Sequence, residues 1–107
     1  MSIKTVLFDL DGTLLNEKAE LSEFTVSAIN KFTATGGCFS IATARTSETV
    51  RHIMRGVTLT APMILMTGVF ALDPLSNKFV MSQRIDRETV LGLISITEKY
   101  KMSGFLY

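Results

Sequence analysis

Ile3 to Phe8 is a short run of apolar and β-forming residues that ends abruptly at Asp9-Leu10-Asp11-Gly12. That switch constrains the fold more than any other feature of the chain. A short apolar run cut off by turn residues reads as a buried strand. Leu14 to Leu21 carries Asn16, Glu17, Lys18 and Glu20, so an exposed loop or small flap is expected there. Ser22 is placed to cap a helix over about Glu23 to Ala34, with Phe24, Ala28, Ile29 and Phe32 on one face. Gly36-Gly37 ends it.

The pattern then repeats. Cys38 to Ala42 reads as a second buried strand. Thr46 or Ser47 caps a helix to about Arg55, with Val50, Ile53 and Met54 inward, and Gly56 stops it. Met63 to Met66, after Pro62, is a third short strand. Strand, helix, strand, helix, strand predicts an α/β fold built on a parallel sheet with right-handed crossovers. Val69 to Leu72 and Lys78 to Ser82 flank Asp73-Pro74-Leu75-Ser76-Asn77, which predicts a hairpin. Asp86 caps a helix over about Arg87 to Tyr100, with Val90, Leu93, Ile94 and Thr97 or Tyr100 on one side. Gly104 to Tyr107 reads as the opening of a further strand.

Composition narrows the function classes. Hydrophobic residues are 47% and charged residues 20%, which argues for a packed domain over disorder. A net charge of +1, with basic residues scattered, gives no electrostatic case for nucleic acid or an anionic membrane. The longest apolar stretch, Ala61 to Leu72, is too short to span a bilayer and contains Thr67 and Gly68. Cys38 is the single cysteine, so no internal disulfide forms, and a cytoplasmic location is expected. It reads as inert core; His52 reads as a solvated helix residue.

Chemistry concentrates at Asp9-Leu10-Asp11-Gly12-Thr13. Open α/β sheets place their sites at the carboxyl ends of strands. Two carboxylates two positions apart can converge on a hard cation such as Mg²⁺. One can attack phosphorus while the other moves a proton. Gly12 lets the backbone turn and brings amides close to a phosphate. A bare pair of Asp residues after a strand is ordinary turn chemistry, but the five-residue string arises by chance in about one chain per thousand of this size. A calcium-binding helix–loop–helix fails, because its sixth position requires Gly and holds Leu14.

Phe8-Asp9-Leu10-Asp11-Gly12-Thr13-Leu14-Leu15 resembles the signature of the haloacid dehalogenase-like hydrolases, in particular their Cof-type sugar-phosphatase branch. Ser40-Ile41-Ala42-Thr43-Ala44-Arg45 is similar to the second family motif, a strand ending in Thr. Pro62 to Asp73 resembles the third core strand and hairpin, and Asp86 to Tyr107 the first elements of an inserted cap. The resemblance implies a partial Rossmann-like parallel sheet, three-layer αβα, with a following hairpin and the start of an α+β cap. Residues 1–82 would belong to the core and 83–107 to the cap. It implies Asp9 as nucleophile, forming an aspartyl-phosphate, and Asp11 as acid and base. Mg²⁺ would be held by the Asp9 carboxylate and the Asp11 backbone carbonyl. Leu10 and Asp11 would offer backbone amides to the phosphate, and Thr43 its hydroxyl. Arg45 would reach an anionic substrate, a small phosphorylated metabolite. Asp11 would need a pKa raised toward neutrality to act as an acid.

The chain departs from the family pattern in several respects. A third-motif Lys and a fourth-motif acidic cluster are absent, which predicts an N-terminal fragment, inactive alone, with a loss of roughly a thousand-fold or more in rate. An uncovered apolar edge on the Asp9 strand invites self-association. Met66-Thr67-Gly68-Val69 stands where the branch usually has Asn before Gly. The rival functions are a phosphomutase-type phosphoryl transferase and a non-catalytic module that only binds. A receiver domain fits poorly, since its Asp would end the third strand, where this chain has Met66-Thr67-Gly68.

Overall fold

The computed structural model describes residues 3–107. β1 (Thr5–Phe8) lies parallel to β2 (Cys38–Ile41), with Thr5 opposite Cys38 and Phe8 opposite Ile41. The crossover between them is α1 (Glu23–Ala34). Ser22 caps it: its Oγ accepts the Thr25 N–H at 3.1 Å, satisfying one of the donors a helix start leaves free. Asn30 ties α1 to the chain beyond the next helix, donating to the Gly56 carbonyl and accepting the Thr58 N–H, both at 2.8 Å.

α2 (Ser47–Ile53) returns the chain to β3 (Met63–Leu65). β3 meets β2 in parallel at one backbone bridge, Ala42 beside Ile64. Pro62 has no N–H to give, and side chains complete the seam. The Phe39 N–H donates to Thr60 Oγ1 at 2.8 Å, and Ser40 Oγ donates to the Pro62 carbonyl at 2.7 Å. β4 (Phe70–Asp73) and β5 (Lys78–Ser82) follow as an antiparallel hairpin beside β3. The fold is α/β: parallel strands with helical crossovers, then an antiparallel extension.

The core gathers Leu10, Ile29, Phe39, Ile41, Val50, Met54, Met63, Leu65 and Leu72. Val50 and Met54 of α2 turn inward as their spacing predicts. Elsewhere the periodicity overstates burial. Phe24 is 82% exposed, Ala28 is exposed, and only Ile29 of the expected α1 face is fully buried. β1 was expected to be buried, yet Leu7 is 51% and Phe8 39% exposed. Among the described residues β1 pairs with β2 alone, so one edge and much of its surface stay open.

The last third projects. All of β5 is exposed, and α3 (Arg87–Lys99), capped by Asp86, contains no buried residue. The radius of gyration is 17.0 Å, against about 13 Å for a compact chain of this length. Gly104 to Tyr107 does not form the expected strand. A strand needs a ladder partner, and none lies beside it among the described residues. No described helix is long and apolar enough to cross a membrane.

Candidate active site

Parallel strands share one carboxyl edge, and the chain's chemistry collects there. Asp9 follows β1, Thr43 lies just beyond β2, and Met66-Thr67-Gly68 follows β3. The Ala42 N–H donates to the Phe8 carbonyl at 2.9 Å, so the ends of β1 and β2 are held side by side.

Leu10 anchors the Asp9–Asp11 loop, since its side chain is fully buried between two exposed carboxylates. A tight turn over Leu10–Leu14 is closed by the Leu15 N–H donating to the Leu10 carbonyl at 3.0 Å. Gly12 carries the reversal at φ +74°, where a Cβ would touch nothing within 4 Å. Backbone conformation, not crowding, therefore calls for Gly at this position. Asp9 Oδ1 accepts the Leu10 N–H at 2.8 Å. The Leu10 amide, expected to face a phosphate, is thus engaged by the neighbouring carboxylate.

Asp11 is gripped by Arg45. The guanidinium donates Nε to Asp11 Oδ2 at 2.8 Å and Nη2 to Oδ1 at 2.7 Å, a two-pronged charge-assisted pair. These hydrogen bonds from Arg45, assisted by its charge, hold the Asp11 carboxyl below its ordinary value of 3.8. A pKa raised toward neutrality was expected from the acid role, and the structure shows the opposite. The reason is geometric: the carboxyl is forked by a cation, and the hydrogen bonds from Arg45 outweigh the desolvation that opposes ionisation. Arg45, expected to reach substrate, is committed to Asp11. Strand register brings this pair together: with Phe8 opposite Ile41, residues a few positions further on, Asp11 and Arg45, leave the sheet side by side with opposite charge.

Thr43 is a buried hydroxyl, 5% exposed. Its oxygen accepts the Arg45 N–H at 3.2 Å, while its own proton has no acceptor among the described residues. A buried hydroxyl with a donor to spare, at the carboxyl edge beside Asp9, suits an anionic ligand. The turn after β3 closes this loop from the other side. Met66, Thr67 and Gly68 are consecutive left-handed residues, with φ of 51°, 55° and 91°. Such a conformation costs roughly 1–2 kcal/mol for a residue with a Cβ. It is least natural for β-branched Thr67, where Asn would be better tolerated.

The donor set bears on a metal. Among the described residues no three His, Cys, Asp or Glu side chains cluster as metal ligands. Asp9 retains an oxygen without a hydrogen-bond partner, and Asp11 can offer its backbone carbonyl while Arg45 occupies its carboxylate. Hard oxygens in this number fit a Mg²⁺ that keeps most of its water, and do not build a full cage.

The family description "haloacid dehalogenase-like hydrolase" matches residues 6–107. The 5-amino-6-(5-phospho-D-ribitylamino)uracil phosphatase YitU of Bacillus subtilis is 26% identical over 102 residues, covering 94% of this chain and 38% of that protein. The pyridoxal phosphate phosphatase YbhA of Escherichia coli is 23% identical over 107 residues, covering 100% and 39%. A crystal structure of a hypothetical protein from Geobacillus kaustophilus superposes with a TM-score of 0.80 at 26% identity, over 94% of this chain and 38% of that one. The chain therefore spans well under half the length of these relatives.

Proposed function

The chain belongs to the haloacid dehalogenase-like hydrolases, and on that premise we propose that Asp9 is the nucleophile of a phosphatase acting on a small phosphorylated metabolite. An Asp9 carboxylate oxygen forms a bond to phosphorus as the bond to the leaving oxygen breaks, giving an aspartyl-phosphate. Asp11, protonated once Arg45 has released it, gives its proton to that leaving oxygen. Water then attacks phosphorus, Asp11 takes its proton, and inorganic phosphate leaves Asp9 free. The Asp9 carboxylate and the Asp11 carbonyl would hold Mg²⁺, which when bound would supply charge neutralisation at the phosphoryl oxygens. Thr43 donates its spare hydroxyl proton to one of them, with the Asp11 amide beside it.

One observation carries this reading: the Asp9–Asp11 pair and a buried Thr43 with an uncommitted proton share the carboxyl edge of adjacent parallel strands. The metabolite class is supported by the names of two relatives, which describe phosphatases of a phosphorylated ribitylaminouracil and of pyridoxal phosphate. In this reading residues 1–82 are core and 83–107 begin a cap. Arg45 releases Asp11 when Asp11 serves as the acid, and is then free to meet an anionic substrate. The 107 residues by themselves turn over slowly, roughly a thousand-fold below a site with its charges fully balanced. A second copy pairs at the open edge of β1, which Leu7→Lys blocks.

A second reading, binding without turnover, is favoured by the Arg45 grip on Asp11 and by the lack of a third clustered metal ligand among the described residues. Beryllofluoride, a mimic of an aspartyl-phosphate, tests the nucleophile without requiring turnover. Fluorine NMR is expected to show a Mg²⁺-dependent adduct in the wild type and none in Asp9→Asn. An adduct that persists in Asp9→Asn, or none in either protein, removes the assignment. Aryl phosphate turnover that Asp9→Asn abolishes separates the enzyme from the binding module.

A further inference from the structure

The Thr43–Arg45 loop leaves the sheet after β2, and few tertiary contacts fix it. The Thr43 N–H donates to the Ile64 carbonyl at 2.9 Å. The other two backbone contacts come from the left-handed turn. The Met66 N–H donates to the Arg45 carbonyl at 3.2 Å, and the Thr67 N–H donates to the Thr43 carbonyl at 3.1 Å. Successive residues of one helical hand aim their N–H groups the same way, so the turn presents adjacent donors to the loop's carbonyls.

We propose that Thr67 is a positioning residue: its left-handed backbone braces Thr43 directly and sets the turn that aims the Met66 N–H at the Arg45 carbonyl, and through Arg45 it fixes the Asp11 carboxylate. Strained conformations persist where surrounding contacts over-determine them, and they concentrate at functional sites. Here the strain lies in an exposed residue, next to a loop whose Thr43 hydroxyl and Arg45 guanidinium both serve the carboxyl edge. The Thr67 side chain makes no hydrogen bond among the described residues, so the backbone is what matters. The same turn leads directly into β4 through the Val69 N–H, which donates to the Met66 carbonyl at 3.3 Å. The effect on phosphoryl chemistry rests on the function proposed above; the effect on the Asp11–Arg45 pair does not.

The test uses the 107-residue chain with separate readouts. The Arg45 Nε–H resonance, shifted and protected while paired with Asp11, reports the loop without any ligand. Beryllofluoride affinity with Mg²⁺ reports the site. Thr67→Pro removes the donor and forbids the left-handed φ. Gly68→Ala strains the turn where an added Cβ meets nothing within 4 Å. Both are expected to lose the resonance signature and to weaken beryllofluoride binding by about 10- to 100-fold. Thr67→Asn keeps the donor and suits the conformation, so it retains both. Ile29→Val, a core truncation away from the turn, lowers stability and leaves both readouts as in the wild type. A folded Thr67→Pro with wild-type resonance and affinity overturns the proposal. If that variant does not fold, an unchanged Gly68→Ala overturns it equally. A wild type that shows the resonance and binds no beryllofluoride overturns the phosphatase reading instead, and the resonance alone then decides the positioning role.

Discussion

Replacing Thr43 by Val keeps the side chain's shape and β-branch while removing its hydroxyl. Thr43 is 5% exposed and its oxygen accepts the Arg45 N–H at 3.2 Å. Leaving this half-buried donor without a partner costs about 1–3 kcal/mol, and a contact this long belongs in the lower half of that range, about 1.5 kcal/mol. The extra methyl offsets roughly half a kcal/mol through apolar burial, so the net loss is about 1 kcal/mol. With a urea slope of about 1–1.5 kcal/mol per molar for a chain this size, the unfolding midpoint falls by about 0.7–1 M. An unfolding entropy of roughly 2.1 cal/mol/K per residue converts the same loss to about 4–5 °C in Tm. Thr43→Ser also loses stability, through its missing methyl, but keeps the hydroxyl. Beryllofluoride affinity should therefore survive in Ser and fall in Val. A Val variant as stable as the wild type refutes the inward contact. Equal affinity in both variants refutes the outward one.

Arg45→Gln is expected to raise the Asp11 carboxyl pKa toward its ordinary value, because the fork that favours the ionised form is gone; carbon NMR titration of Asp11 checks this, and an unmoved curve refutes the assigned cause. Phe39→Ala, at a side chain 1% exposed in the middle of the core, should cost about 3–5 kcal/mol in chemical denaturation. A loss under 1 kcal/mol would mean that β2 is not packed as described. The Thr89 N–H and hydroxyl hold the Asp86 carboxyl below 3.8. A depressed carboxylate contributes stability that is present above its unfolded pKa and is lost as pH falls through the folded one. Asp86→Asn keeps the cap without titrating, so its stability should fall less steeply below about pH 4. Parallel acid slopes in the two proteins would refute the cap's role.

The sequence made the strand order legible because each strand is a short apolar run bounded by turn chemistry at fixed places. Ser22 and Asp86 stand at the helix starts where their short oxygens were expected to cap. Asp9, Asp11 and Thr43 were legible as a group because parallel strands must share a carboxyl edge. Burial was less legible. Leu7 and Phe8 are as apolar as any core strand, and a sequence cannot show that β1 has a neighbour on one side only. Val90, Leu93 and Ile94 likewise make a helical stripe that buries nothing completely. Electrostatic placement was hidden for a different reason. The fork between Arg45 and Asp11 spans 34 residues and depends on strand register, which composition does not encode. The left-handed turn at Met66–Gly68 was masked because Thr67 is a residue type that rarely adopts it.

The central claim is that Asp9 carries the phosphoryl group. Incubation with acetyl phosphate and Mg²⁺, followed by borohydride reduction and peptide mass spectrometry, tests it most directly, since borohydride converts an aspartyl-phosphate to homoserine. The account predicts homoserine at position 9, dependent on Mg²⁺ and absent in Asp9→Asn. Phosphorylation found at another residue, or none at position 9 under conditions that load beryllofluoride, contradicts it.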